Sequence, residues 1–501
     1  MAADSNSFAI NYRPFLFMDT PLFDFGMVGL GTMGCNLLLN MADNHFAVVG
    51  FDINRAKAEE FEASANPDTT VKGVYELASM VRQLKKPRKI MMLVPAGKPV
   101  DDVINNLLPL IETNDIVIDG GNSHFSDTLA RINSLQAKGI HFMGVGISGG
   151  EMGARTGPSI MPGGDLTAWQ QVKPILEAVS AKVNGQPCVA YMGKWAAGHY
   201  VKMVHNGIEY AIMQLISEVY DILKRGLGLN NDELHDVFKN WNGGEMQSFL
   251  LEITADIFTH RDSETGKAMV DVILDKAGAK GTGKWTSQNA MDLGLPIPTI
   301  DSAVAMREIS SYKDERIAAA ELYATDIKRT ALDKEKFVRQ LHDALYFATI
   351  VCYAQGFSLL HRASSELDMD VPVPDVIRIW RGGCIIRSAL LENFYSVYKK
   401  DPDLPNLLLS KKIARLLRGK EKKLRNAIKH ATATRIPVAA LSSCLAYFDA
   451  YCSAALPTNL IQAQRDFFGA HMYQRVDKEG LFHNEWQPLP EHKKESVDHK
   501  P

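Results

Sequence analysis

A chain of 501 residues is too long for one hydrophobic core and points to two or three domains. Its 46% hydrophobic and 23% charged residues are the composition of a globular protein. Fifty-five basic against 58 acidic side chains leave a formal charge of −3, which argues against bulk nucleic-acid or membrane-surface binding but leaves room for a local basic pocket.

In chain order, residues 1–22 form a leader of no clear pattern. Its apolar stretch Phe15–Met18 is short, lacks a basic flank and is followed by Asp19, so no signal peptide is expected. From 23 to 195 short apolar runs alternate with helical periods. Strands are predicted at Phe23–Val28, Ala47–Phe51, Lys89–Val94, Ile116–Asp119 and Ile140–Ile147, with helices such as Asn36–Ala42 and Asp101–Ile111 between them. That alternation predicts an α/β Rossmann-type domain, a parallel sheet with helices on both faces.

The character changes near Gly193–Gly198, and residues 196–455 read as a large all-helical domain. Helix-spaced stripes run through Val201–Leu223, Phe337–Leu360 and Ile436–Ala455. Residues 456–501 form a C-terminal tail whose last part, 488–501, is polar enough to expect flexibility. No uninterrupted apolar run reaches the roughly 18 residues that a spanning helix needs. The six cysteines form no CxxC pair; they read as thiols in a reducing compartment, and cytoplasm is the expected location, with no metal site.

Gly29, Leu30, Gly31, Thr32, Met33 and Gly34 spell G-x-G-x-x-G between an apolar strand and a helix, the context that gives the pattern meaning. Gly29 suits the tight turn, Gly31 lets backbone approach a pyrophosphate, and Gly34 allows close helix packing. The helix N-terminus offers its amides to phosphate. A second strand ends at Asp52, where an acid can bond the adenosine ribose hydroxyls.

Three polar segments follow at expected strand ends or on a helix: Asp119–Ser123, Ser148–Gly150 and Gly198–Tyr210. In the last, Lys202, Asn206 and Glu209 stand at i, i+4 and i+7, within an arc of about 60° at ~100° per residue. Alone, that spacing describes a solvated helix face with a loose ion pair. The tightly turned polar loops upstream favour a site instead.

The runs Asp119–Ser123, Ser148–Gly150 with Met161–Gly164, Val201–Tyr210, Lys280–Thr286 and Arg465–His471 resemble those of 6-phosphogluconate dehydrogenases, in the family's order from about residue 24 to 486. The resemblance implies oxidation and decarboxylation of 6-phosphogluconate to ribulose 5-phosphate. It makes Lys202 the general base toward the 3-hydroxyl as hydride leaves C3, and Glu209 the acid that protonates C1 of the enediol. It makes Asn122, Ser148, Gly149, Gly150, His205 and Asn206 substrate contacts. It places the phosphate on Tyr210, Lys280, Thr282, Arg307, Arg465 and His471, the last two supplied across a homodimer with shared sites.

Two departures bear on the cofactor. Asp52-Ile53-Asn54 replaces the Asn-Arg-Thr of many members, and Val94-Pro95-Ala96-Gly97 replaces Val-Lys-Ala-Gly. Both remove a cation, so NAD is expected to be preferred, with NADP possible through Arg55. The dinucleotide contacts are then the glycine loop, Asp52, Ile53, Asn54, Val94, Pro95, Ala96 and Asn122. A 3-hydroxyisobutyrate-type β-hydroxyacid dehydrogenase would share the dinucleotide motif, a Ser-Gly-Gly loop and a helix lysine, but would not need the extended helical domain or the last two runs. A non-catalytic dinucleotide-sensing protein would predict decay of Lys202 or Glu209, and both are intact.

Overall fold

A computed structural model describes residues 22–323 and 333–486; the leader up to residue 21 and the end at 488–501 lie outside the described residues. The chain divides into two compact units between Leu445 and Ala446, each described by itself.

The first unit opens with β1 (Phe25–Val28), α1 (Thr32–Asp43), β2 (Val48–Phe51), α2 (Arg55–Ala63), β3 (Val71–Val74) and α3 (Leu77–Arg82). It continues with β4 (Lys89–Met92), α4 (Lys98–Leu107), β5 (Ile116–Asp119), α5 (Phe125–Gln136) and β6 (His141–Ser148). Then come α6 (Gly150–Thr156), β7 (Ser159–Gly164) and α7 (Leu166–Val179). The seven strands lie in the order β3-β2-β1-β4-β5-β6-β7. The order reverses between β1 and β4, which puts a ligand crevice at their carboxyl ends.

The expected sheet is present, with one correction: β7 runs antiparallel to β6. The turn through the seven-residue α6 is too short for a parallel crossover, which takes a dozen or more residues. Alternate strand residues feed two cores. Phe25, Met27 and Val145 pack on Leu37, Leu38, Val172 and Leu176 on one face. Val28, Ile90, Met92 and Val117 pack on Val100, Ile104, Ile132 and Leu135 on the other. Burial on both faces is why these strands read as continuous apolar runs.

Next comes α8 (Ala197–Asp221), earlier at its start than the predicted Val201. It lies directly on β6 and β7. A Cβ on Gly198 would stand 2.1 Å from the Gly144 carbonyl, and one on Gly146 would stand 2.4 Å from the Lys202 Cβ. Small residues therefore bring this helix to backbone contact with the sheet. Buried His199 adds a polar tie: its Nε2 lies 3.0 Å from the Asp119 carbonyl and its Nδ1 2.6 Å from the Thr128 hydroxyl. Burial lowers the pKa of that imidazole, so it stays neutral.

Helices dominate the rest of the unit. Lys334–Glu366 spans 33 residues and is long and apolar enough to cross a membrane, yet 94% of its apolar stretch is packed inside the protein. The second unit holds the helix Thr458–Gly469 and a bridge pairing Tyr473 with Phe482. Its buried Asp466 accepts hydrogen bonds from His483, Trp486 and the amides of Met472 and Asn484. Burial alone would raise that carboxyl, but the donors hold it at about 2.

Candidate active site

The glycine loop leaves β1 with Gly29 at φ +96°, where a Cβ would stand 2.6 Å from the Leu93 carbonyl. A Cβ on Gly34 would stand 2.0 Å from the Gly29 carbonyl, while one on Gly31 would meet nothing within 4 Å. Thus Gly34 seals the turn and Gly31 faces open space. No side chain caps α1, so its first amides remain available to an anion. Open backbone at Gly31 beside uncapped amides fits a dinucleotide pyrophosphate.

Asp52 does not stand free as the sequence suggested. Its two carboxylate oxygens accept from the amides of Leu30 at 2.9 Å and Asn54 at 2.8 Å, and the residue is buried. It braces the glycine loop, leaving one further acceptor position on each oxygen. Beside it Ile53 is 91% exposed. Asn54 caps α2 by accepting from Ala56, and Arg55 pairs with Glu59 while lying over the Tyr75 ring. Pro95, Ala96 and Asn122 are exposed on the loops after β4 and β5.

Past these loops, α8 carries a cluster of buried polar groups. The Ser148 hydroxyl lies 3.2 Å from His205 Nε2, and His205 Nδ1 lies 3.0 Å from Asn206 Oδ1. Asn206 in turn donates to the Thr282 hydroxyl at 3.1 Å. Glu209 Oε2 is 3.7 Å from His205 Nδ1. One turn on, the Arg307 guanidinium stacks over the Tyr210 ring at 3.6 Å and donates to the Gly278 carbonyl, while the Lys280 amide donates to the Tyr210 hydroxyl. Ser148, Lys202, His205, Asn206, Glu209, Tyr210, Thr282 and Arg307 are thereby drawn together through α8, with Gly149 and Gly150 extending the Ser148 turn.

Burial sets the charges here. It lowers the pKa of Lys202, with Glu209 pulling the other way. It raises that of Glu209, with Lys202 and Arg307 opposing. It drives His205 well below the ordinary imidazole value, and the Lys202 charge adds to this. A neutral His205 can then donate from Nδ1 to Asn206 and accept at Nε2 from Ser148. The amine and the carboxyl are both biased toward their uncharged forms, an arrangement suited to proton transfer in either direction.

Sequence reading missed the turn at 381–388. Gly383, at φ +66°, presses its carbonyl to 2.6 Å from where a Gly149 Cβ would stand, and the Ile385 amide donates to Ser148 at 3.5 Å. Trp380 meets His205 edge-on at 5.5 Å. The signal was the Gly382-Gly383 pair. Thr286 was quoted only within a longer run; its hydroxyl bonds the Met203 carbonyl and locks Thr282–Asp292 to α8. Lys280 is exposed. Arg465 and His471 are exposed on the second unit, near Gln462 and Phe468 respectively. Among the described residues Glu245, His342 and Asp343 have metal-ligand spacing, but the Lys420 ammonium already pairs with both carboxylates at 3.2 and 2.7 Å.

Comparison with known proteins agrees across nearly the whole chain. Residues 24–193 match the NAD binding domain of 6-phosphogluconate dehydrogenase, and 198–486 match the C-terminal domain of that family. A Bacillus subtilis protein named 6-phosphogluconate dehydrogenase, NADP(+)-dependent, decarboxylating, is 52% identical, covering 92% of this chain and 98% of its own length. The Escherichia coli 6-phosphogluconate dehydrogenase, decarboxylating, is 48% identical over the same shares. The solved Plasmodium falciparum 6-phosphogluconate dehydrogenase, described apo, with NADP+ and with 6-phosphogluconate, superposes at a TM-score of 0.89. It is 42% identical, covering 92% of this chain and all of its own.

Proposed function

The chain belongs to the family of decarboxylating 6-phosphogluconate dehydrogenases, and from that premise we propose how its own residues carry the reaction. The enzyme oxidises and decarboxylates 6-phospho-D-gluconate to D-ribulose 5-phosphate. A bound dinucleotide supplies the hydride acceptor. The glycine loop, the α1 amides and the loops at Val94–Ala96 and Asn122 hold it.

In this reading Lys202 accepts the proton of the substrate 3-hydroxyl. The new 3-keto group then draws the electrons released as carbon dioxide departs, and Glu209 returns a proton to C1. The observation that carries these roles is their placement: a buried amine and a largely covered carboxyl two turns apart on α8, with burial lowering the pKa of the amine and raising that of the carboxyl. Ser148, His205 and Asn206 orient the hydroxyls, with Gly149 and Gly150 shaping the turn. Tyr210, Lys280, Thr282 and Arg307 receive the phosphate, suited by their cations and hydroxyls. Arg465 and His471 of the partner subunit complete that pocket in a homodimer. The exposed Leu460, Ile461, Phe467 and Phe468 on the second unit support such an association. Six free thiols support a cytoplasmic setting.

The dinucleotide domain is of the NAD(P) kind, and the Bacillus subtilis relative is named NADP(+)-dependent. For this chain we infer a preference for NAD. Asp52 spends its oxygens on the loop, so the argument rests on its charge more than on ribose bonds. That charge opposes a 2′-phosphate by on the order of 1 kcal/mol, and Arg55, engaged with Glu59, is the cation at hand to offset it.

The reading is tested with purified protein, 6-phosphogluconate and either dinucleotide, following cofactor reduction and trapped carbon dioxide. Both products should form in equal amounts. Lys202→Met should lower turnover by about 10²–10⁴-fold; near-normal turnover would remove Lys202 from its role.

A further inference from the structure

Beneath the two loops that border the proposed dinucleotide site sits a cation to which no role has been given. Arg131, on α5, has a side chain only 7% exposed. Its Nε donates to Asp101 Oδ1 at 2.7 Å. One terminal nitrogen donates to the Ser123 hydroxyl at 3.3 Å and stands 3.6 Å from Asp119 Oδ2. The other donates to the Gly97 carbonyl at 3.2 Å. Gly97 closes the loop that begins at Val94, while Asp119 and Ser123 bracket Asn122. Asp119 is itself fully buried and accepts from the Gly121 amide at 2.9 Å and the Ser123 hydroxyl at 2.6 Å. One planar cation therefore reaches the loop after β4, the turn after β5 and the first turn of α4.

Burying a guanidinium is costly unless it is paired and hydrogen-bonded, and packing alone would be served as well by an apolar side chain of similar volume. What an apolar group could not supply is the rigid fork, which fixes three directions at once. Those directions lead to both ligand-facing loops.

We propose that Arg131 is a positioning residue that sets the spacing between the Val94–Gly97 loop and the Asp119–Ser123 turn, so that dinucleotide and substrate are held in register for the oxidation. The proposal rests on the reading of Val94–Ala96 and Asn122 as ligand contacts. Arg131 touches neither ligand and acts through the two loops.

The test compares Arg131→Lys, Asp101→Asn and Asn122→Ala with wild type. KM for dinucleotide and for 6-phosphogluconate, kcat, the primary isotope effect with substrate deuterated at C3, and Tm are measured for each. A lysine keeps the charge but not the three directions. Arg131→Lys should therefore raise both KM values severalfold, lower kcat by about tenfold or more, since misplacement by about 1 Å can cost ~10²-fold, and increase the isotope effect. Asp101→Asn should move the same quantities in the same direction by only about twofold, because Asp101 is 52% exposed. If Arg131→Lys does not fold, Asp101→Asn alone decides, and unchanged kinetics there overturn the proposal. A lowered Tm with unchanged KM, kcat and isotope effect in Arg131→Lys would make the residue merely structural and overturn it. Damage in Asn122→Ala without damage in Arg131→Lys would overturn the proposal and keep the loop reading. Wild-type kinetics in Asn122→Ala would overturn both.

Discussion

Lys202 and Glu209 share a helix face, and burial acts on them in opposite senses: it lowers the amine and raises the carboxyl. Each also works against the other's shift, because an ionised Glu209 stabilises the ammonium form of Lys202. If Lys202 is the base, it must be neutral to work, so the rate of the oxidation should fall as pH drops through its pKa. Glu209→Gln removes the one carboxylate that raises this pKa. The acid limb of the first-turnover burst should then move to lower pH; an unmoved limb would mean that Lys202 does not govern it. The same arithmetic of charge applies at Asp52. With ~1 kcal/mol of repulsion toward a 2′-phosphate, kcat/KM should favour NAD over NADP by roughly fivefold, given tenfold per 1.4 kcal/mol. An Asp52→Asn, Ile53→Arg double variant should shift the ratio toward NADP. Asparagine also weakens the brace on the Leu30 amide, so the ratio is more informative than either value alone. A wild-type enzyme tenfold better with NADP would show that Arg55 outweighs Asp52.

The element that matters most is α8, and its function depends on how closely it approaches the sheet. A Cβ on Gly146 would overlap the Lys202 Cβ at 2.4 Å, and either the strand or the helix would have to move. Overpacking of this kind costs about 1–3 kcal/mol in stability. Because the atom displaced belongs to the proposed base, Gly146→Ala should lower kcat by about 10²-fold in protein that still melts cooperatively. A kcat within twofold of wild type would show that the helix tolerates displacement. The apolar stripe of α8 was legible because its period is uniform, and so were the strands buried on both faces. Its start was not, since Ala197-Gly198-His199 packs through backbone contact rather than apolar side chains. Likewise α1 begins at Thr32, four residues before the predicted start, because the glycine loop itself forms the first turn. β3 was missed because Val71-Lys72-Gly73-Val74 is short, interrupted by Lys72 and Gly73, and partly exposed. β7 was missed because Pro162 and two glycines hide a buried strand. The turn at 381–388 reaches Ser148 across more than 200 residues, a pairing that no local pattern contains.

At the scale of the whole molecule, the described polar cluster ends at Arg307 and Tyr210, and the proposed phosphate pocket has there one stacked guanidinium and one exposed lysine for a dianion. Arg465 and His471 lie exposed in the second unit beside a surface of Leu460, Ile461, Phe467 and Phe468 that a monomer would leave in water. Exposed apolar surface beside an exposed arginine suits a subunit interface. If Arg465 of the partner subunit serves each phosphate, the two functions separate by chain. A Lys202→Met chain lacks its base but still lends an arginine, and an Arg465→Ala chain keeps its base but lends none. Each homodimer should fail at 6-phosphogluconate, the second through KM. A mixed dimer places the intact Lys202 of one chain opposite the intact Arg465 of the other at one site, and pairs both defects at the second. Co-expressed chains with different affinity tags, purified through both, should therefore recover about half of the wild-type kcat at near wild-type KM, as one good site in two requires. Arg465→Ala should meanwhile leave the poor reaction with unphosphorylated gluconate unaltered, because that substrate brings no phosphate for the arginine to bind. Recovery of turnover only at the elevated KM would place Arg465 in its own chain's site, and a mixed dimer with no recovery at all would end the case for sharing.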